Sequence, residues 1–154
     1  LDKYLGDGLM ATFGTPRPTP LDATNALGAA LGMIDAIERW NAERTATGQA
    51  AVRLGVGVHY GPVIIGDIGD ERRLEHAVIG DAVNVASRVE HLTRDLRSPL
   101  LVSQELVEAV KAENAGGSQL LARFVDVGVR RIPGRGNDVR LWMLADRSWE
   151  PPEQ

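Results

Sequence analysis

Hydrophobic residues recur at helical spacing in three stretches of the chain. The longest stretch predicts a helix over about 23–45, with Asp22 in the position of its N-cap. A second stripe predicts a helix over 82–93, and a third helix is predicted to begin after the capping residue Ser103 and to end near residue 113. Each predicted helix has one apolar face, so each is expected to lie on a sheet.

The remaining apolar runs show the period of two that is typical of strands. We expect a hairpin within 1–14, a strand pair formed by 52–58 and 63–66, single strands at 77–79 and 99–104, and a final hairpin formed by 120–131 and 138–145. The charged segment 67–76 is predicted to be a loop. Gly55 and Gly57 share one face of their strand, which predicts that another element packs closely there. This order predicts an α+β domain with a mostly antiparallel sheet and helices packed on it.

The composition limits the partners that the chain can have. Its 154 residues suit one domain, and 44% of them are hydrophobic, which is enough for a packed core. The 17 Lys and Arg residues against 21 Asp and Glu residues give a net charge of −4, which argues against nucleic acid or an anionic membrane as a partner. Because the chain has no cysteine, disulfides and thiolate metal sites are excluded.

The boundaries of the chain suggest a piece of a longer protein, because Leu1 already lies inside a predicted strand. No apolar run approaches the roughly 20 residues of a membrane-spanning helix, and no signal peptide is recognisable. We predict one domain over 1–145, followed by a loose tail over 146–154. The expected location is the cytoplasm, alone or as the cytoplasmic domain of a larger, membrane-attached protein.

Asn84 and Arg88 lie one turn apart on the predicted helix 82–93, opposite its apolar face. Such a face is most often simply solvated. The alternative is a ligand site, because a guanidinium group matches phosphate oxygens and an asparagine can position a sugar. Asp7 lies between two glycines at the first hairpin turn, where it is either a turn residue or a ligand for a cation such as Mg²⁺.

Three segments together resemble the catalytic domain of class III nucleotidyl cyclases, the adenylate and guanylate cyclases. They are DKYLGDGLMATFG (2–14), VRLGVGVHYGPVIIGDIG (52–69) and AVIGDAVNVASRVE (77–90). The resemblance covers nearly the whole chain and implies the ferredoxin-like cyclase fold, with the first strand and the first helices missing. It implies conversion of a nucleoside triphosphate into a 3′,5′-cyclic monophosphate and pyrophosphate.

The resemblance also implies roles for particular residues. Asp7 matches the second of the two aspartates that, in this family, hold two Mg²⁺ or Mn²⁺ ions per site together with the substrate phosphates. Asn84 matches the residue that orients the ribose, and Arg88 matches the arginine that stabilises charge on the α-phosphate. Lys3 matches a purine-selecting lysine, which favours ATP as the substrate.

The sequence departs from the family pattern at three places. The second purine-selecting position is Ala77, whose side chain cannot hydrogen-bond a base. The triphosphate-binding lysine is replaced by Pro133, so Arg135 or Arg131 would have to substitute. The segment that carries the first metal-binding aspartate has no counterpart, so we expect these 154 residues alone to have little or no cyclase activity.

The expected partners follow from the same resemblance. They are ATP, a second copy of the chain with active sites at the dimer interface, and an upstream sensor or regulatory domain in the parent protein. The leading interpretation is an adenylate cyclase. If the chain is an enzyme, the alternative is a guanylate cyclase or a loosely selective purine cyclase. The alternative that is not an enzyme is a non-catalytic module for nucleotide binding or regulatory dimerisation.

Overall fold

The computed structural model describes residues 3–70, 73–114, 116–131 and 138–149, except for the side chains of Leu5, 67–70 and 73–77. The strands are β1 (Lys3–Leu5), β2 (Gly8–Met10), β3 (Val56–Val58), β4 (Ile64–Asp70), β5 (Arg73–Ile79), β6 (Leu100–Ser103), β7 (Phe124–Arg130) and β8 (Val139–Leu144). The helices are α1 (Asp22–Ala46), α2 (Asp81–Asp95), α3 (Gln104–Glu113) and α4 (Gly117–Leu121).

The main sheet has four strands in the order β3-β6-β8-β7. The β3–β6 pair is parallel and the other two pairs are antiparallel. Strand β6 is buried on both faces: Leu100 and Val102 pack with α1 and α3, whereas Leu101 packs with α2. The α+β fold with helices on a mostly antiparallel sheet is therefore confirmed.

The pairing predicted for 52–58 and 63–66 is wrong. Val56–Val58 pairs in parallel with β6, and Ile64–Asp70 pairs with β5 in a separate two-stranded sheet. The period of two identifies a strand but not its partner, and here the chain leaves the main sheet after β3. The loop predicted at 67–76 is also wrong, because β4 and β5 extend into it on both sides. A two-stranded hairpin outside the main sheet does not need a continuous apolar face.

Helices α1, α2 and α3 lie where the apolar stripes predict them, but their caps differ in part. The strand predicted over 120–131 is wrong at its start, because residues 120 and 121 end helix α4 and β7 begins only at Phe124. Ser103 caps α3 as predicted, with Oγ accepting from the Leu106 amide at 3.3 Å. Asp22 is not the cap of α1, because its carboxylate accepts from the Thr19 amide instead. Glu113 takes over the capping, and its two oxygens accept from the amides of residues 23 and 24 at 2.8 and 2.7 Å. None of the described helices is long and apolar enough to cross a bilayer.

The start of the predicted C-terminal tail contacts the domain. The Arg147 guanidinium forms an ion pair with Glu38 on α1, and the Trp149 amide donates to the Arg97 carbonyl at 2.9 Å. Residues 146–149 are therefore held against the body of the domain. Residues 150–154 lie outside the described part of the chain.

The close packing predicted at Gly55 and Gly57 is confirmed, and the element that packs there is α2. A Cβ atom on Gly57 would lie 2.3 Å from the Glu90 amide nitrogen and 2.7 Å from the Ala86 carbonyl oxygen. A Cβ atom on Gly55 would lie 2.5 Å from the Thr93 hydroxyl oxygen. The strand therefore touches the backbone of the helix, which is possible only where the strand has no side chain.

Replacing Gly57 by alanine is expected to lower the free energy of unfolding by about 2 kcal/mol or more, because helix α2 must move off the strand. Gly28→Ala is the control. A Cβ atom on Gly28, within α1, meets nothing within 4 Å, and alanine favours helix by up to about 1 kcal/mol. Urea unfolding, followed by circular dichroism, measures the free energy of unfolding of both variants. Equal stability of the two variants would contradict the packing described here.

Candidate active site

Helix α2 begins at a tight contact with the segment that precedes β4. Gly80 is its N-cap, and a Cβ atom there would lie 3.0 Å from the Pro62 carbonyl oxygen. Asp81 places a carboxylate in the first turn, where the helix dipole favours negative charge. The sequence Gly-Asp thus fixes where the helix starts and how closely it approaches Pro62.

The faces of α2 are as the apolar stripe predicts. Ala82, Val85 and Val89 are buried, whereas Asn84 is exposed and Arg88 is half-buried. The Nη1 atom of Arg88 is itself buried and has no hydrogen-bond partner among the described residues. A buried polar group without a partner costs about 1–3 kcal/mol, and more if it is charged. An acceptor supplied from outside the described chain, such as a phosphate oxygen, would remove that cost.

Lys3 and Asp7 lie on the β1–β2 hairpin, which is a sheet of its own. Gly6 has a φ of 65° in the turn, and Asp7 is exposed beside it. No described hydrogen bond or ion pair connects Asp7 with Asn84 or Arg88. The candidate groups therefore stand on two separate elements of the chain, the hairpin and helix α2.

The other two predicted site residues are described in part or not at all. Ala77 lies on β5 opposite Gly66, and its side chain is outside the described set. Arg135 and Pro133 lie outside the described residues, within the connection between β7 and β8. Their predicted roles stay predictions.

The predicted metal site has one carboxylate among the described residues, that of Asp7. Among the described residues there is no group of three or more His, Cys, Asp or Glu side chains that could hold an ion. Mg²⁺ is commonly held by one or two carboxylates together with substrate phosphates, rather than by a cage of protein ligands. Asp7, exposed at a hairpin tip, fits that pattern as one ligand.

A cavity of about 330 Å³ lies between β2, α1, β3 and the start of α2. Its lining is mostly apolar and contains neither Asp7 nor Arg88, so it does not suit a triphosphate. One polar side chain in its wall, His59, was not singled out by the sequence patterns. The available signal was a histidine that ends a period-two run immediately before the turn Tyr60-Gly61-Pro62.

The sequence matches a known family over most of its length. Residues 3–145 match the profile of the family described as the adenylate and guanylate cyclase catalytic domain. The chain belongs to this family of nucleotide cyclases, which confirms the predicted resemblance.

Individual relatives and solved structures agree with the family assignment. The chain is 35% identical over 131 residues to an adenylate cyclase of Anabaena cylindrica, covering 82% of this chain and 25% of the relative. It is 32% identical over 146 residues to the terminal-differentiation specific adenylate cyclase of Dictyostelium discoideum, covering 95% of this chain and 6% of the relative. The chain thus spans a quarter or less of the length of these relatives.

Two solved structures share the fold. The adenylyl cyclase CyaB from P. aeruginosa superposes with a TM-score of 0.75 at 24% identity, covering 95% of this chain and 71% of that one. The guanylyl cyclase Cya2 superposes with a TM-score of 0.72 at 26% identity, covering 98% and 71%. The predicted cyclase fold is confirmed. It is shared by one protein named an adenylyl cyclase and one named a guanylyl cyclase.

An ion pair joins strands β7 and β8, which precede and follow the connection 131–138 in the sequence. The Arg140 guanidinium donates to the Asp126 carboxylate, with Nε at 2.9 Å, and the Gly128 amide donates to the other oxygen at 2.8 Å. The Arg140 hydrogen bond and then the Gly128 amide lower the pKa of Asp126.

Arg140→Gln is expected to raise the pKa of Asp126 towards its ordinary value, measured by carboxyl NMR titration. Because the folded-state pKa is lowered, the pair stabilises the fold above the ordinary pKa, and this contribution is lost as the pH falls through the folded-state pKa. The control Arg123→Gln, whose partner is Asp146, should leave the Asp126 titration unchanged. An unchanged Asp126 titration in the Arg140 variant would contradict the assignment.

Proposed function

We propose that the chain is the catalytic domain of an adenylate cyclase, which converts ATP into 3′,5′-cyclic AMP and pyrophosphate. The observation that carries the proposal is the half-buried Arg88, whose Nη1 atom lacks an acceptor within the described chain. It stands one turn after Asn84 on helix α2, and we propose that this helix faces the reacting phosphate. The adenylate cyclases among the relatives support the same substrate.

The proposed reaction is an in-line displacement at the α-phosphorus atom. The 3′-hydroxyl group gives up its proton to solvent water as the bond from the ribose 3′-oxygen to phosphorus forms, and the bond to the pyrophosphate oxygen breaks. Asn84 holds the ribose, and Arg88 donates hydrogen bonds to the α-phosphate oxygens as negative charge develops there. Arg135 is proposed to hold the triphosphate.

Asp7 is proposed as one of two aspartates that would hold two Mg²⁺ or Mn²⁺ ions per site. Such ions would neutralise phosphate charge and lower the pKa of the 3′-hydroxyl group. The remaining ligands would be substrate phosphates and a carboxylate beyond the described residues.

Purine selection is assigned to Lys3, which is exposed at the start of β1, and to the region of Ala77 on β5. Lys3 favours adenine. Because the alanine side chain offers the base no hydrogen bond, selection against GTP is expected to rest mainly on Lys3, and a guanylate or loosely selective cyclase is the rival assignment. The fold shared with a guanylyl cyclase is equally compatible with that rival assignment.

The active site is proposed to form between two copies of the chain. Asp7 and Arg88 lie on separate elements with no described contact between them, so one copy would supply the hairpin and the other would supply α2. The large size of the relatives supports a parent protein with an upstream sensor or regulatory domain. A non-catalytic, nucleotide-binding or dimerising module is the second candidate, because the described residues contain only one proposed metal ligand.

The products of the reaction test the substrate. Full-length parent protein, incubated with equal ATP and GTP and with Mg²⁺ or Mn²⁺, is expected to form mainly cyclic AMP, identified by mass spectrometry. The 154 residues alone are expected to form little or none. Comparable amounts of cyclic AMP and cyclic GMP would favour the loosely selective enzyme, and no cyclic product from folded, dimeric protein would favour the non-catalytic module.

Mixing inactive variants tests the shared site. Asp7→Asn and Arg88→Gln are each expected to lower kcat of the full-length enzyme by about 10²–10³-fold. An equal mixture is expected to recover about a quarter of the wild-type activity, because half of the dimers carry one intact site. Arg94→Gln, which changes an exposed arginine of the same helix, is the control and should retain activity. A mixture that stays as inactive as its components would count against a site built from two copies.

A further inference from the structure

His59 is a buried titratable residue to which the proposed reaction gives no role. It follows β3 directly, and its side chain is only 6% exposed. Its Nδ1 atom lies 2.8 Å from the Ser103 hydroxyl oxygen and 3.8 Å from a carboxylate oxygen of Glu105. The imidazole edge therefore meets the beginning of helix α3.

The hydrogen bond to Ser103 ties the ring to a rigid point. Ser103 is fully buried, and its Oγ atom already accepts the Leu106 amide as the cap of α3. The hydrogen bond between His59 Nδ1 and the Ser103 hydroxyl can run in either direction, depending on the tautomer of the ring. In both cases the hydroxyl oxygen keeps a lone pair for the Leu106 amide.

The opposite edge of the ring supports the segment that leads to β4. A Cβ atom on Gly61 would lie 3.0 Å from His59 Nε2 and also 3.0 Å from the Cβ atom of Ala82. The next residue, Pro62, presents its carbonyl oxygen to Gly80 at the start of α2. Residues 59–62 are thus held between the first turn of α3 and the first turn of α2.

We propose that His59 is a positioning residue, which fixes segment 59–62 and through it the first turn of α2. Asn84 and Arg88 follow within the next two turns of that helix, so their placement depends on the same support. The effect on catalysis rests on the proposed cyclase function, whereas the mechanical link to α2 does not.

Hydrogen exchange of the 154-residue chain tests the link without any activity. His59→Leu is expected to increase exchange of the amides of 85–88 by about ten-fold and to leave the amides of α1 unchanged. His59→Asn, which keeps a polar atom near the position of Nδ1, should restore much of the protection. Glu113→Gln is the matched control, because it removes a cap of α1 and should raise exchange there instead. Equal effects of His59→Leu on α1 and α2, or none on α2, would overturn the proposal.

Kinetics of the full-length enzyme provide the second arm. His59→Leu is expected to lower kcat by about ten-fold or more with little change in KM, because the misplaced helix weakens contacts that matter most at the transition state. Glu113→Gln should change neither, although it also destabilises the fold. Equal losses of kcat in both variants would show that His59 is merely structural. If the wild-type protein makes no cyclic nucleotide, the cyclase proposal fails and the exchange experiment still decides the role of His59.

Discussion

The contact between the backbone of β3 and the backbone of α2 sets the position of the candidate site. The Glu90 amide and the Ala86 carbonyl of α2 lie so close to Gly57 that no side chain fits at position 57. Arg88 lies midway between these two contact residues and therefore on the far side of the same helical turn. The helix axis is thus held at a distance fixed by main-chain atoms, and the guanidinium group projects from a support that side-chain repacking cannot easily shift.

Strand β6, in the sheet beneath this contact, contributes side chains to two separate hydrophobic cores, one on each face of the sheet. Leu100 and Val102 of β6 face α1 and α3, and Leu101 faces α2. Each fully buried leucine is worth about 1.5–3 kcal/mol of transfer free energy, so removing one would weaken the attachment of a whole helical layer. Ser103 ends the same strand and caps α3, and its hydroxyl oxygen also meets His59. The strand that carries the core therefore also carries the polar links to the site.

The sequence predicts what depends on neighbouring residues and misses what depends on distant ones. The helices, the cap at Ser103 and the close approach at Gly57 follow from local spacing and residue type. The parallel pairing of β3 with β6 joins segments about forty residues apart, and no local signal specifies it. Asp22 has the residue type of a cap, yet Glu113, distant in sequence, satisfies the first amides of α1. The candidate site residues were predictable because their spacing forms a motif. His59 was not, because its role depends on a tertiary contact.

The net charge and the Nη1 atom of Arg88, which has no partner in the described part of the chain, belong to one physical problem. A chain with a net charge of −4 could hold the proposed triphosphate only through local groups and not through its overall field. A donor that is already satisfied by its own chain would gain little from a new acceptor, since the bond would only replace an existing one. A buried guanidinium nitrogen without a described partner gains a full charge-assisted hydrogen bond, and it gains it without reorganisation if the helix is already fixed. The rigid support of α2 and the free hydrogen-bonding capacity of Arg88 Nη1 within the described residues are therefore linked. On a mobile helix this donor would turn to water or to its own backbone. The main-chain contact with β3 holds the helix in place and so keeps the donor available.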